Sequence, residues 1–200
     1  EHAFGEPEAR LLQTVASAMG VALQSAQRFD ETQRLLKETE QRNAELAVIN
    51  SIQQGMAGSL DFQGIVELVG DKLREVLQTE NLGIAWYDAA ANQLQHLYVV
   101  EHNERLRLEP LTPGPTSSWF RMQQDRRPLV LNSLAEMAAQ GVALVPGTDQ
   151  ALSVLKVPVI VGDRMLGVID TEDHQRENAY GESEVRLLQT IATSMGVALE

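Results

Sequence analysis

Three of the nine aromatic side chains in this 200-residue sequence, Trp86, Tyr98 and Trp119, lie where a planar ligand could stack. Trp86 and Tyr98 fall on two segments that read as a hairpin, and Trp119 falls on a short helix after it. The alternative is that all three fill the core. Ser153, Lys156 and Asp170 fall on a second hairpin. Alternation along a strand sets Ser153, Leu155 and Val157 on one face and Lys156 on the other. Ser153 is therefore expected in a pocket and Lys156 in solvent. Arg121, on the helix that carries Trp119, could meet an anionic group, though a lone helical arginine is ordinarily a surface residue. The candidate ligand-binding residues are Trp86, Tyr98, Trp119, Arg121, Ser153 and Asp170.

The four histidines, His2, His96, His102 and His174, include no pair at metal-binding spacing and read as surface residues. One of them could ligate a haem iron. The run Asp170, Glu172, Asp173, His174 could hold a cation loosely, but its spacing fits no calcium loop, and it reads as a solvated hairpin end. No metal site and no cofactor are assigned. The chain has no cysteine, which removes disulfides, thiolate metal sites and cysteine nucleophiles. It contains no P-loop, no G-x-S-x-G and no H-E-x-x-H. No catalytic residues are assigned, and the expectation is that the chain is not an enzyme.

The formal charge of −12 repels phosphate backbones and anionic lipid surfaces, so neither nucleic acid nor membrane is expected as a partner. No apolar run approaches the ~20 residues of a membrane-spanning helix. The acidic, polar start from Glu1 to Arg10 is no signal peptide. A cytoplasmic location fits these features. Because Glu1 is not an initiator methionine, further chain is expected upstream.

The elements that must position these residues are organised by a repeat. Residues 1–24, EHAFGEPEARLLQTVASAMGVALQ, recur as residues 177–200, ENAYGESEVRLLQTIATSMGVALE, with 16 of 24 positions identical at an offset of 176. Leu11, Leu12, Val15, Met19 and Ala22 follow the spacing of one apolar helix face, and Leu187, Leu188, Ile191, Met195 and Ala198 repeat it. Residues 1–24 are read as the last helix of a preceding copy, in a protein that carries tandem copies. Residues 25–56 are read as a signalling helix, rich in good helix formers and free of proline. Forty such residues would span ~60 Å, too long for a compact domain. A 3–4 spacing runs from Val21 through Leu35, Leu46 and Ile49 to Gln53 and Met56, with polar residues in the middle. This is a weak coiled-coil seam, expected to pair in a parallel homodimer. The alternative is a solvated helix.

Residues 57–200 are read as one complete domain. Ser59 or Asp61 is expected to cap a helix that carries Ile65, Val69 and Leu73. Strands follow at Asn81–Asp88 and Leu94–Glu101, then a loop at Arg105–Pro115. Next come a short helix at Thr116–Gln124, a strand at Pro128–Asn132 and a helix at Ser133–Gln140. The second hairpin joins Ala151–Val161 to Met165–Glu172 through a Gly-Asp-Arg turn. Pro158 inside it indicates an edge or a bulge. The expected fold is α+β, with a central antiparallel sheet of about five to six strands flanked by helices and a long N-terminal connector helix.

The segment SVLKVPVIVGDRMLGVIDTED, a polar loop, Tyr180 with Glu184, and the helix LLQTIATSMGVALE together resemble the second half of a GAF domain. The resemblance covers roughly Ile49–Glu200, with Glu1–Gln24 as the tail of another copy. It implies a small-molecule pocket between the sheet and the helices and loops of residues 105–150. It also implies helices that carry a signal to an output domain such as a cyclase or kinase elsewhere in the protein. Members that bind cyclic nucleotides often have Asn-Lys followed by F-x-x-x-D-E. Here Asp170-Thr171 replaces the first pair, and only Tyr180 and Glu184 remain of the second. Bilin attachment through cysteine and cysteine-based sulfoxide reduction are excluded by composition. The resemblance thus implies a non-catalytic sensor of an unidentified small molecule, dimeric through its helices. The alternative is a ligand-free dimerisation scaffold.

Overall fold

The computed structural model describes residues 5–57, 61–140, 142 and 144–199, with the side chains of a few helical residues, Gln53 and Met56 among them, left aside. Ser59 and His2 lie outside the described residues. The chain divides into two units, residues 1–43 and 44–200.

Helix α1 runs from Glu6 to Ala57, and proline is absent after its first turn. In the first unit the hydroxyls of Thr14, Thr32 and Thr39 each donate to the carbonyl four residues back. Arg42 pairs with Glu38 at 2.7 Å. The apolar side chains Leu11, Leu12, Val15 and Met19 are exposed there.

The second unit is built on a six-stranded sheet in the order β3-β2-β1-β6-β5-β4. Its strands are β1 (Leu82–Asp88), β2 (Gln93–Glu101), β3 (Glu104–Arg105), β4 (Leu129–Leu131), β5 (Ser153–Val161) and β6 (Arg164–Asp173). Every neighbouring pair is antiparallel. The helices are α2 (Phe62–Leu77), α3 (Ser118–Asp125), α4 (Leu134–Ala139) and α5 (Glu182–Leu199). The expected α+β architecture, with its antiparallel sheet, flanking helices and long N-terminal helix, is what the chain adopts.

One face of the sheet packs against α2, α5 and the end of α1. Val66, Val69 and Leu73 of α2, Leu188, Ile191 and Met195 of α5, and Val48 of α1 are all fully buried in this core. The Asp61 carboxylate accepts the Gly64 N–H at 2.8 Å and caps α2. At the start of α5, Glu184 reaches back to the Gly181 N–H at 2.9 Å, one half of a capping box. Pro158 sits beyond the end of β4, which pairs only with Val154–Lys156, and one residue before a register shift at Val159/Ile160. The missing N–H therefore falls where β5 is locally an edge next to a bulge. Among the described residues no helix is long and apolar enough to cross a membrane.

Candidate functional site

The opposite face of the sheet is covered by α3 and by the loops that follow β3 and α4. Between sheet and cover lies a cavity of about 420 Å³. Ala85 of β1, Leu94 of β2 and Val168 of β6 form its floor, and Trp119 and Met122 of α3 part of its roof. Leu94 and Leu111 exchange backbone hydrogen bonds at 2.8 and 3.0 Å, which pins the first cover loop to β2.

Polar groups converge on this apolar shell. His96, Ser117 and Trp119 line the cavity, and His96 Nε2, Ser117 Oγ and Trp119 Nε1 are buried with no hydrogen-bond partner among the described residues. Ser117 occupies the N-cap position of α3, but its hydroxyl makes no capping bond. Buried polar atoms left unpaired cost about 1–3 kcal/mol each, and an arrangement of three around one cavity is that of a binding site.

The far wall is charged. Lys156 stands opposite Asp170 on the β5–β6 ladder, and both line the cavity with Glu172 and Glu101. Burial alone would push the Lys156 ammonium down, but the carboxylates of Asp170 and Glu172 outweigh it and hold it above its usual value. Burial pushes Glu172 up to about 7 against the pull of Lys156, with Asp170 and Glu101 adding to the rise. Burial likewise holds the His96 imidazole below its usual value, a shift that Asp170 opposes and Lys156 reinforces. At neutral pH His96 is thus an uncharged ring with one donor and one acceptor nitrogen.

Of the six sequence candidates, the structure brings Trp119 and Asp170 together in the cavity wall. The other four lie elsewhere. Trp86 points to the helix side of the sheet and meets Phe62 edge-on at 5.2 Å. Tyr98 is buried in the same core. Its hydroxyl donates to Asp71 at 2.8 Å, and the Arg105 guanidinium lies 3.9 Å from its ring centre. Arg121 donates to the Gln140 side chain and main chain, tying α3 to the end of α4. Ser153 faces the helices, where its hydroxyl donates to the Arg176 carbonyl and accepts the Ala179 N–H, anchoring the loop into α5.

Two corrections follow from one physical cause. Lys156 is not in solvent and Ser153 is not in the pocket, because the cavity opens on the other face of β5. Alternation was right, but it does not say which face is covered. Tyr98 departs for a further reason. Ile84 pairs with Tyr98 and Ala85 with His96, which leaves Leu97 as an extra residue in a bulge. The bulge turns His96 and Leu94 toward the cavity and Tyr98 and Val100 toward the helices. Nor are His96 and His174 surface residues: His96 lines the cavity, and the His174 side chain is 9% exposed. No sequence signal marked His96, because its face is set by the register shift between β1 and β2.

Residues 59–200 match the family model of the GAF domain, and the chain belongs to that family. Solved structures share the fold at low identity. A methyl-accepting chemotaxis protein fragment, residues 122 to 287, is 16% identical with a TM-score of 0.63, over 76% of this chain and 96% of that one. The phycocyanobilin-bound GAF domain of a cyanobacterial phytochrome is 14% identical with a TM-score of 0.62, over 78% and 93%. Free methionine-R-sulfoxide reductase from Neisseria meningitidis, in complex with its substrate, is 15% identical with a TM-score of 0.60, over 78% and 87%. No curated protein matches the sequence.

Proposed function

We propose that this chain is the non-catalytic, cytoplasmic sensory domain of a multidomain signal-transduction protein. It takes a small molecule into the cavity beneath Trp119 and relays the bound state through α1 and α5 in a homodimer. The observation that carries this reading is the set of three unpaired buried polar atoms, on His96, Ser117 and Trp119, around an apolar cavity. Neighbours in a phytochrome and a chemotaxis protein support the sensory context.

The wall chemistry narrows the ligand. Asp170, Glu172 and Glu101 face Lys156 alone among the ionised side chains there. An anionic nucleotide would meet that acidic wall unfavourably. A neutral or cationic molecule with an apolar body fits better, with an acceptor for the Trp119 N–H and a donor for the acids.

A second reading rests on the repeat. Residues 11–19 match α5, where Leu187, Leu188 and Ile191 are buried, yet Leu11, Leu12 and Val15 are exposed. This supports a preceding tandem copy whose sheet covers that face, and it is equally what a ligand-free dimerisation scaffold would present.

A thermal-shift screen against uncharged, cationic and anionic metabolites separates the readings. A ligand at 100 times its Kd stabilises the fold by about 2.7 kcal/mol. A saturable shift that Trp119→Phe and Asp170→Asn abolish is the expected result. No shift across the panel, with self-association intact, moves the assignment to the scaffold.

A further inference from the structure

One end of the sheet brings two of the cavity's acids, Glu101 and Glu172, together with a histidine that the sensory reading does not use. Leu82, the first residue of β1, pairs with Val100 on one side and Thr171 on the other. The next residues outward, Glu101 and Glu172, therefore flank Asn81, just beyond the start of β1. Asn81 clamps both strands: its amide donates to the Glu172 carbonyl at 3.0 Å and its side-chain oxygen accepts the His102 N–H at 2.8 Å. Strand alternation sets His174 on the same face as Glu172.

The result is a compact trio. His174 Nε2 lies 3.7 Å from Glu101 Oε1 and 3.8 Å from Glu172 Oε2. The side chains of His174, Glu101 and Glu172 are 9%, 11% and 24% exposed. One ligand atom from each of the three lies within 4.8 Å of the others. His174 Nε2 is buried and has no hydrogen-bond partner among the described residues. A nitrogen nine-tenths buried, unpaired, and aimed between two carboxylates is placed as a metal ligand is placed.

We propose that Glu101, Glu172 and His174 form a binding site for a divalent transition-metal cation at the rim of the cavity. Ligands about 2.1 Å from a tetrahedral centre stand about 3.4 Å apart, so His174 Nε2, at 3.7 and 3.8 Å, must close on each carboxylate by only a few tenths of an ångström. An imidazole with two carboxylates and no thiolate suits zinc or manganese, whereas magnesium and calcium favour all-oxygen shells. Three protein ligands leave a coordination position open, and Glu101 and Glu172 also line the cavity. Glu101 ends β2, Glu172 lies in β6 and His174 follows that strand directly, so the trio is held by the sheet itself and goes beyond the sensory reading.

Glu101 belongs to a second, more exposed group with His102 and Asp149. The His102 ring lies 4.6 Å from that of His174, and His102 Nε2 stands 3.2 Å from Asp149 Oδ2. The Asp149 N–H donates to Glu101 Oε1 at 3.0 Å, so this group adjoins the buried trio and adds the Asp149 carboxylate beside it.

The test is calorimetric titration of the chelator-treated chain with Zn²⁺, Mn²⁺, Mg²⁺ and Ca²⁺. One equivalent of Zn²⁺ should bind saturably, with Mg²⁺ and Ca²⁺ weaker. His174→Ala and Glu172→Gln should each weaken Zn²⁺ at least about tenfold, and X-ray absorption of the loaded protein should show one imidazole with oxygen ligands. If His174→Ala fails to fold by circular dichroism, Glu101→Gln, which keeps the side-chain shape, replaces it. Absence of saturable Zn²⁺ binding overturns the proposal. So does Zn²⁺ affinity unchanged in the folded variants, or binding with no preference over Mg²⁺, which would mark a loose acidic surface.

Discussion

Gly83 of β1 stands directly opposite Asp170 of β6, and a Cβ at position 83 would come within 2.7 Å of the Asp170 carboxylate. The missing side chain is the space in which the carboxylate lies across the cavity floor. Gly70 of α2 has the same relation to Tyr98 on the opposite face, where an added Cβ would meet ring atoms at 2.5 and 2.6 Å. Helix and sheet can approach there only because position 70 has no side chain.

The two glycines should respond differently to alanine. At position 83 the obstacle is the tip of an aspartate that can swing into the cavity. At position 70 it is a ring held by Asp71 and Arg105. Gly83→Ala is expected to cost about 1 kcal/mol of stability and Gly70→Ala about 3 kcal/mol, by urea denaturation. Adding Asp170→Ala to Gly83→Ala should relieve the first cost, and a double-mutant cycle with no coupling would show that the two do not compete for space.

Lys156 is the cation that compensates the acidic wall. Lys156→Met leaves Asp170 and Glu172 facing each other without it, so it should destabilise the chain by about 3 kcal/mol at pH 7.5, the order seen when one member of a buried charge set is removed. Lys156→Met with Asp170→Leu removes charge of both signs and should recover most of that loss. Equal stability of the single variant and the parent would place the lysine head group in water.

How much of this was legible from residues alone differs between the two faces of the sheet. The second hairpin could be read because its turn chemistry, Pro158 and apolar runs are local features. The helix repeated at both ends could be read because its apolar spacing is local too. Trp119 was identifiable because a bulky residue on a short helix under loops must cover something. His96 and Tyr98 were not separable, since the bulge at Leu97 depends on the pairing of β2 with β1 and leaves no mark in the sequence of β2. Lys156 and Ser153 exchanged places because alternation fixes relative faces only. Glu101 and His102 are neighbours but lie far in the chain from Asp149 and His174 and meet them only through folding, so spacing rules could not connect them.

His96 carries a pH signature. Burial holds its folded-state pKa below the 6.5 of the unfolded chain. As pH falls through 6.5 toward the folded value, the unfolded state binds more protons and stability declines. Glu172, raised to about 7 by burial, acts in the opposite sense over the same range, because its folded form keeps a proton that the unfolded form releases. The informative quantity is therefore the difference between parent and His96→Gln in denaturation at pH 7.5 and 5.5. The parent should lose more stability on acidification than the variant. An NMR titration of the His96 ring that gives a midpoint above 6.5 would contradict the buried, neutral assignment.

Leu12 and Leu188 share one place in the repeated helix, yet Leu12 is 63% exposed and Leu188 is fully buried. Leu188→Ala removes a side chain packed on the sheet and should cost about 2–5 kcal/mol. Leu12→Ala should change the stability of the isolated chain by less than about 0.5 kcal/mol. Its effect should appear in association instead. A row of exposed leucines, valine and methionine along a helix is stable in water only at a cost, and pairing with a second copy would cover it. Sedimentation velocity of the parent should show a concentration-dependent dimer that Leu12→Glu with Val15→Glu weakens at least about tenfold. A parent that remains monomeric would contradict the dimeric part of the proposed function.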